Sequence, residues 1–184
     1  IVVSPPDNNG FCSFGLYLSH KKDYTSRAKT VLAEVSNAPD MRVRMPGDNY
    51  IHVSEIDFFV EHIPVPVKEL PRQPDPLDKP IAEYVSTIIR DGDTIELGPG
   101  LPSSLVELGA FDGKHDLGVH CPAMDPGILE LMRRGIVTGK RKNLHPGKCV
   151  GSGFRRVQNE EDIAFIDGNP VFEIRSTSYV NDIG

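Results

Sequence analysis

The sequence is poor in positive charge, in cysteine and in long apolar runs. Its 184 residues carry 20 lysines and arginines against 26 aspartates and glutamates, for a formal charge of −6. A surface that neutralises nucleic-acid phosphates needs a cationic excess or a basic face. The one short basic run is Lys140-Arg141-Lys142, so no nucleic acid is expected as a partner. No stretch approaches the roughly 20 apolar residues that cross a membrane, and no basic start leads into an apolar run as in a secretory signal. No membrane partner is expected either, and the reading is a cytoplasmic or mitochondrial-matrix protein. Cys12, Cys121 and Cys149 are odd in number and far apart. They read as free, buried thiols in a reducing compartment rather than as a disulfide framework or a zinc knuckle. His20, His52, His62, His115 and His145 show no metal-ligand spacing, so no metal is expected.

What the chain has in quantity is punctuation, with 16 prolines and 17 glycines. The densest cluster, Leu70-Pro71-Arg72-Gln73-Pro74-Asp75-Pro76-Leu77-Asp78-Lys79-Pro80, has the composition of a semi-rigid spacer. It predicts a linker over 71–79 between an N-terminal piece, 1–70, and a C-terminal piece, 80–184. The opening Ile1-Val2-Val3-Ser4-Pro5, without an initiator Met, reads as the interior of a longer polypeptide.

In the first piece, residues 30–35 and 56–60 are β-branched or aromatic runs bounded by turn residues and predict strands, with a short helix over 19–28. The turn Ser4-Pro5-Pro6-Asp7-Asn8-Asn9-Gly10 leads into a run of small residues ending at Gly15, where the backbone can be closely approached. Glu55, Asp57 and Glu61 read as solvated carboxylates along one strand face. This piece alone has too few elements for a closed core.

The second piece alternates more regularly. Ile81, Tyr84, Val85, Ile88 and Ile89 follow helical spacing, so residues 80–90 predict an amphipathic helix with Pro80 in its first turn and Gly92 just past its end. Strands follow over 94–97, 116–120, 148–150 and 171–174, with helices over 102–108 and 160–166 between them. Another helix is expected after Asp125, a good N-cap, with Pro126 first, Ile128, Leu131 and Met132 on one face and Gly135 closing it. Strands alternating with helices imply an open, mostly parallel α/β sheet with flanking helices.

Ligands of such sheets bind beyond the carboxyl ends of the strands, which singles out two segments. Glu96-Leu97-Gly98-Pro99-Gly100-Leu101-Pro102 is a glycine-rich bend between a strand and a helix, where backbone amides can meet an anion or a developing oxyanion. It matches neither the dinucleotide fingerprint nor a Walker loop, and a plain tight turn is the rival reading. In Gly118-Val119-His120-Cys121-Pro122-Ala123, His120 is a candidate acid or base, or else a polar group satisfied at the sheet edge. Cys121 is a candidate nucleophile facing the next helix, or a core residue. The basic run reads as a solvated turn or a local phosphate-binding patch.

The ordered set of motifs resembles the acetyl-CoA hydrolase/4-hydroxybutyrate CoA-transferase family, a branch of the family I CoA-transferases. Its carriers are Val3-Ser4-Pro5-Pro6-Asp7-Asn8-Asn9-Gly10, Phe14-Gly15, Ser19-His20, Ile51-His52-Val53-Ser54-Glu55-Ile56-Asp57, the bend Leu97 to Pro102, and Asp116-Leu117-Gly118-Val119-His120. Thr138-Gly139-Lys140-Arg141-Lys142-Asn143 and Tyr179-Val180-Asn181-Asp182 complete it. The resemblance implies a CoA-transferase α/β fold of two related domains, with residues 1–70 the later part of the first and 80–184 the earlier part of the second. It implies a ping-pong transfer of CoA from an acyl-CoA to a small, 4-hydroxybutyrate-like carboxylate, through a glutamyl-CoA thioester. Coenzyme A is then a substrate, not a permanently bound cofactor, and Gly98, Pro99, Gly100, Leu101 and Pro102 contact it. The remainder of the polypeptide or a complementary chain, and a homo-oligomer, are the implied partners. The family's glutamate follows the second strand, where this chain has Pro122, so the catalytic carboxylate stays unassigned. Alternatives are an acyl-CoA hydrolase, a catalytically inactive CoA-binding sensor or partner subunit, and, more weakly, a sugar-phosphate isomerase of similar fold.

Overall fold

The computed structural model of the chain describes residues 1–61, 75–98, 101–157 and 159–182, without the side chains of residues 101–103. Residues 71–74 of the expected linker therefore lie outside the described residues, as does His62.

The C-terminal part is the parallel α/β unit that the alternation predicts. Strands β6 (Thr94–Ile95), β7 (Gly118–Cys121), β8 (Cys149–Gly151) and β9 (Phe172–Ile174) lie side by side in chain order, each parallel to the next. Helices α3 (Leu101–Glu107), α4 (Gly127–Arg133) and α5 (Glu160–Ile166) alternate with them; α2 (Asp78–Ile88) precedes the sheet and α6 (Thr177–Val180) follows it. Successive side chains on a strand take opposite faces. The register therefore puts Val119, Cys121, Cys149, Phe172 and Ile174 on one face. All five are buried, together with Ile128, Leu129 and Leu131 of α4 and Ile166 of α5. Phe154 and Phe172 meet edge to face at 5.1 Å, a preferred aromatic arrangement. The other face carries His120, Val150 and Glu173 in one row.

The helix expected over 80–90 begins two residues earlier and ends at Ile88. Asp78 accepts the Asp75 N–H at 2.9 Å, and Asp75 accepts that of Leu77 at 2.8 Å, which folds the spacer's end into a first turn. Pro80 is the third helical residue, where its missing N–H is one the helix would leave unpaired anyway. The apolar stripe is only partly used. Ala82 is buried and Val85 and Ile89 pack on the core, but Tyr84 and Ile88 remain 68% and 56% exposed. Before α4, Asp125 accepts the Gly127 N–H at 3.0 Å, but the helix starts at Gly127 with Pro126 in the cap position, so Asp125 stands one residue ahead of the cap expected of it.

The N-terminal part holds a parallel sheet of β1 (Val2–Val3), β3 (Leu32–Val35) and β5 (Phe58–Glu61), ordered β1-β3-β5. An antiparallel pair, β2 (Phe11–Ser13) and β4 (Tyr50–His52), lies beside it. The small-residue run after Gly10 is thus a strand rather than an open approach. Helix α1 (Lys21–Thr25) is shorter than the expected 19–28, because Ser19 sits at φ +53°, outside helical backbone. The three carboxylates read as one strand face separate in space. Glu55 lies in a 3₁₀ turn, pairs with Lys22 at 3.5 Å and accepts the His52 N–H, Asp57 accepts the Val31 N–H at 2.8 Å, and Glu61 ends β5.

The two parts share one core. Val3, Phe14 and Leu18 belong to the same buried apolar cluster as Phe111, Leu117 and Phe172. Backbone bonds stitch them together: Leu18 N–H to Ser152 O at 2.8 Å, Phe154 N–H to Leu16 O at 2.6 Å, and Ile174 N–H to Pro46 O at 2.8 Å.

Candidate functional site

The carboxyl ends of β6 to β9 converge on one edge, which brings together Glu96 to Gly98, Pro122, Ser152 and Arg175 from distant parts of the chain. Gly98 ends the described part of the bend after β6. A Cβ there would meet nothing within 4 Å among the described residues. Pro99 and Gly100 lie outside the described residues; Leu101 and Pro102 open α3, and their side chains also lie outside.

His120 comes from β7 and is half-buried. Burial lowers its pKa below the ordinary 6.5, and the charges of Lys142 and His145 push the same way; the Val180 carbonyl and Glu96 pull back. A group so placed is neutral at pH 7 and can take or give a hydrogen bond. Cys121, by contrast, is no nucleophile. It is fully buried, its Sγ donates to the Ala123 carbonyl at 3.3 Å, and burial pushes the thiol up to about 11, so no useful thiolate fraction exists at neutral pH. Pro122, half-buried, accepts the Ser152 N–H on its carbonyl at 3.2 Å, tying the ends of β7 and β8 together. Ser152 Oγ itself is buried without a partner among the described residues.

The basic run is a solvated turn at Lys140 and Arg141 but not at Lys142. Lys140 is exposed, and Arg141 pairs with Asp116 at 3.4 Å. Lys142 is buried, its ammonium donating to the carbonyls of Val119 at 2.8 Å and Lys148 at 3.0 Å. Its stem lies against Gly118, where a Cβ would stand 2.5 Å from Lys142 Cγ. The chain needs glycine at 118 so that this lysine can cross the polar face of the sheet.

Sequence reasoning missed the strongest polar cluster on that face. Glu173 Oε2 lies 2.9 Å from His145 Nδ1, and His145 Nε2 lies 2.6 Å from the Tyr179 hydroxyl. Arg175 donates to Glu173 Oε1 through Nε at 2.9 Å, reaches Asp48 at 3.2 Å, and stands 5.5 Å over the Tyr179 ring. Burial raises the Glu173 carboxyl, but the Arg175 hydrogen bond and the charges of His145 and Arg175 outweigh it and leave the pKa below 4.5. The members are 28 and 34 residues apart, so no local pattern announces them. Among the described residues, no group of three or more His, Cys, Asp or Glu side chains could hold a metal ion. No helix among them is long and apolar enough to cross a membrane.

No family model matches the chain. Among curated proteins, it is 39% identical over 184 residues to the 4-hydroxybutyrate coenzyme A transferase of Clostridium kluyveri, an alignment covering 99% of this chain and 41% of that protein. It is 33% identical over 186 residues to the succinyl-CoA:cyclohexane-1-carboxylate CoA transferase of Geobacter metallireducens, covering 98% and 40%. Among solved structures, the 4-hydroxybutyrate CoA-transferase from Porphyromonas gingivalis superposes with a TM-score of 0.82 at 33% identity, over 98% of this chain and 45% of that one. The chain spans less than half the length of each of these relatives.

Proposed function

We propose that this chain, a relative of the 4-hydroxybutyrate CoA-transferases in sequence and in fold, is part of an enzyme that moves CoA from an acyl-CoA donor to a small carboxylate, 4-hydroxybutyrate or a related short acid. Residues 1–70 then belong to the later part of one domain and 80–184 to the earlier part of the next, with the acyl-transfer site between them. The observation that carries the reading is the bend after β6 at the carboxyl edge of a parallel sheet, where a Cβ on Gly98 would meet no described residue within 4 Å. Pro99 to Pro102 would complete the cradle for the pantetheine thioester.

The reaction runs in two halves. A glutamate carboxylate attacks the thioester carbonyl and CoA thiolate leaves, giving an acyl-glutamyl anhydride. The thiolate then attacks the glutamyl carbonyl and releases the donor acid. The acceptor carboxylate repeats both steps in reverse and leaves with CoA. Backbone amides of the bend stabilise the oxyanions formed at each attack. Pro122 stands at the family's glutamate position and has no carboxylate, so the nucleophile comes from residues outside this chain.

The test is to incubate the complete polypeptide with an acyl-CoA, trap with borohydride and search for a modified glutamate by mass spectrometry, alongside CoA exchange into added carboxylate. A trapped adduct with exchange is the expected result. Loss of acyl-CoA without an acceptor would replace transfer by hydrolysis, and tight CoA binding without turnover would leave a CoA-binding partner subunit in its place.

A further inference from the structure

Between the N-terminal part and the segment after β8 lies a cavity of about 260 Å³ that the strand-edge site does not use. Phe14, Leu16, Met41, Phe154 and Val157 line it, all buried apolar side chains. One ammonium reaches in among them. Lys21, the first residue of α1, donates to the Phe14 carbonyl at 3.0 Å and stands 5.9 Å over the Phe14 ring. None of the ion pairs among the described residues uses it. Lys21 is half-buried with one neutral acceptor, and the charged groups that share the cavity's lining, Asp40 and Arg156, make no ion pair with it, which leaves its ammonium able to take a further anion. Its surroundings agree: burial brings its pKa down to about 8, and the more distant Asp40 only partly offsets this.

We propose that this cavity binds a short aliphatic carboxylate, the carboxylate on Lys21 Nζ and the hydrocarbon chain against Phe14, Phe154 and Val157. The volume suits an acid of a few carbons rather than a nucleotide. The walls reward a chain over a hydrated anion such as phosphate. Because Leu16 and Phe154 are joined by a backbone hydrogen bond at 2.6 Å, the walls are set by the contact between the two parts of the chain. In the transferase reading, on which this role rests, the cavity is where the acceptor acid waits. The binding itself does not depend on that reading.

Calorimetric titration of the full chain with sodium butyrate, 1-butanol and inorganic phosphate tests the proposal. Butyrate is expected to bind in the millimolar range, with butanol and phosphate at least ten-fold weaker. Butyrate affinity falls as pH rises through about 8, as Lys21 loses its proton. Asp40, Tyr17 and Arg156 also border the cavity. Lys21→Gln should abolish butyrate binding and Lys21→Arg retain it; Val157→Phe fills the space and blocks it without touching the charge. If Lys21→Gln does not fold, the pH series on the unaltered chain and Val157→Phe decide. Equal binding of butyrate and butanol, or butyrate binding that neither pH nor Val157→Phe changes, overturns the proposal. Butyrate binding without CoA transfer leaves the site standing and removes the transferase reading. Transfer whose KM for the acid is unchanged in Lys21→Gln, with butyrate binding also unchanged in that variant, removes the site and leaves the transferase.

Discussion

Gly47 and Ile174 form a parallel bridge, and a Cβ on Gly47 would stand 2.1 Å from the Ile174 carbonyl oxygen. Gly47 adopts φ +107°, a backbone region that side chains rarely enter. The bridge adds a segment of the N-terminal part beside β9, flanked by the Ile174 N–H to Pro46 and Asp48 N–H to Ile174 bonds. Gly47→Ala therefore meets both backbone strain and a hard contact. It should cost more than about 2 kcal/mol of stability, read as a lowered urea midpoint at unchanged slope. A midpoint within error of the parent chain would mean the two parts are not held together there.

Glu173 is the hub between His145 and Arg175. Because its carboxyl titrates below 4.5 in the folded chain, its contribution is complete above the unfolded value and is lost as pH falls through the lower folded one. Glu173→Gln should cost about 1–3 kcal/mol at pH 7. That difference should shrink steadily below pH 4.5 in paired denaturation curves. A difference that persists undiminished in acid would place the loss in packing instead of charge.

The three cysteines should be inert while the chain is folded. Burial raises all three thiols, Cys121 to about 11 and Cys149 to about 12. Iodoacetamide at pH 8 should leave Cys121 and Cys149 unmodified in native protein and label them in urea, with intact mass as the readout. Rapid native labelling of Cys121 would reopen its candidacy as a nucleophile.

His120 should titrate below 6.5 by NMR, and Lys142→Met should raise its midpoint, since the lysine's charge is one of the forces holding it down. The same substitution leaves the Val119 and Lys148 carbonyls without their donor, so a loss of about 1–3 kcal/mol accompanies it. An unmoved midpoint would assign the depression of His120 to burial and His145.

If the missing nucleophile is the only obstacle at this strand end, Pro122→Glu should become modified. In the complete polypeptide with acyl-CoA and borohydride, the adduct is expected on the peptide spanning 118–133. Modification found only elsewhere would show that Pro122 does not face the thioester.

The alternation of the second half was readable because each element carries its own signal: Asp125 and Pro126 turn the chain into α4, the stretch Glu160–Ile166 has the composition and cap of a helix, and β7 to β9 are apolar runs between turns. The order of motifs, from Val3 to Asp182, was enough to point to the CoA-transferases. Strands β1, β2 and β4 were not readable, since two or three residues give no period to detect and their pairing partners are 32 to 41 residues away. The carboxylates Glu55, Asp57 and Glu61 misled for the related reason that alternate spacing implies a shared face only inside a strand.

Local chemistry, in sum of its residues, determined the element types and the alternation of the second half, because caps, turns and hydrophobic period act over a few positions. Tertiary structure alone decided what the charged groups do. Lys142 lies under the sheet's polar face, His145 meets Glu173 and Tyr179, and Lys21 points into an apolar cavity. Burial and partner distance set a side chain's charge state and reactivity, and both depend on segments that meet only when the chain has folded.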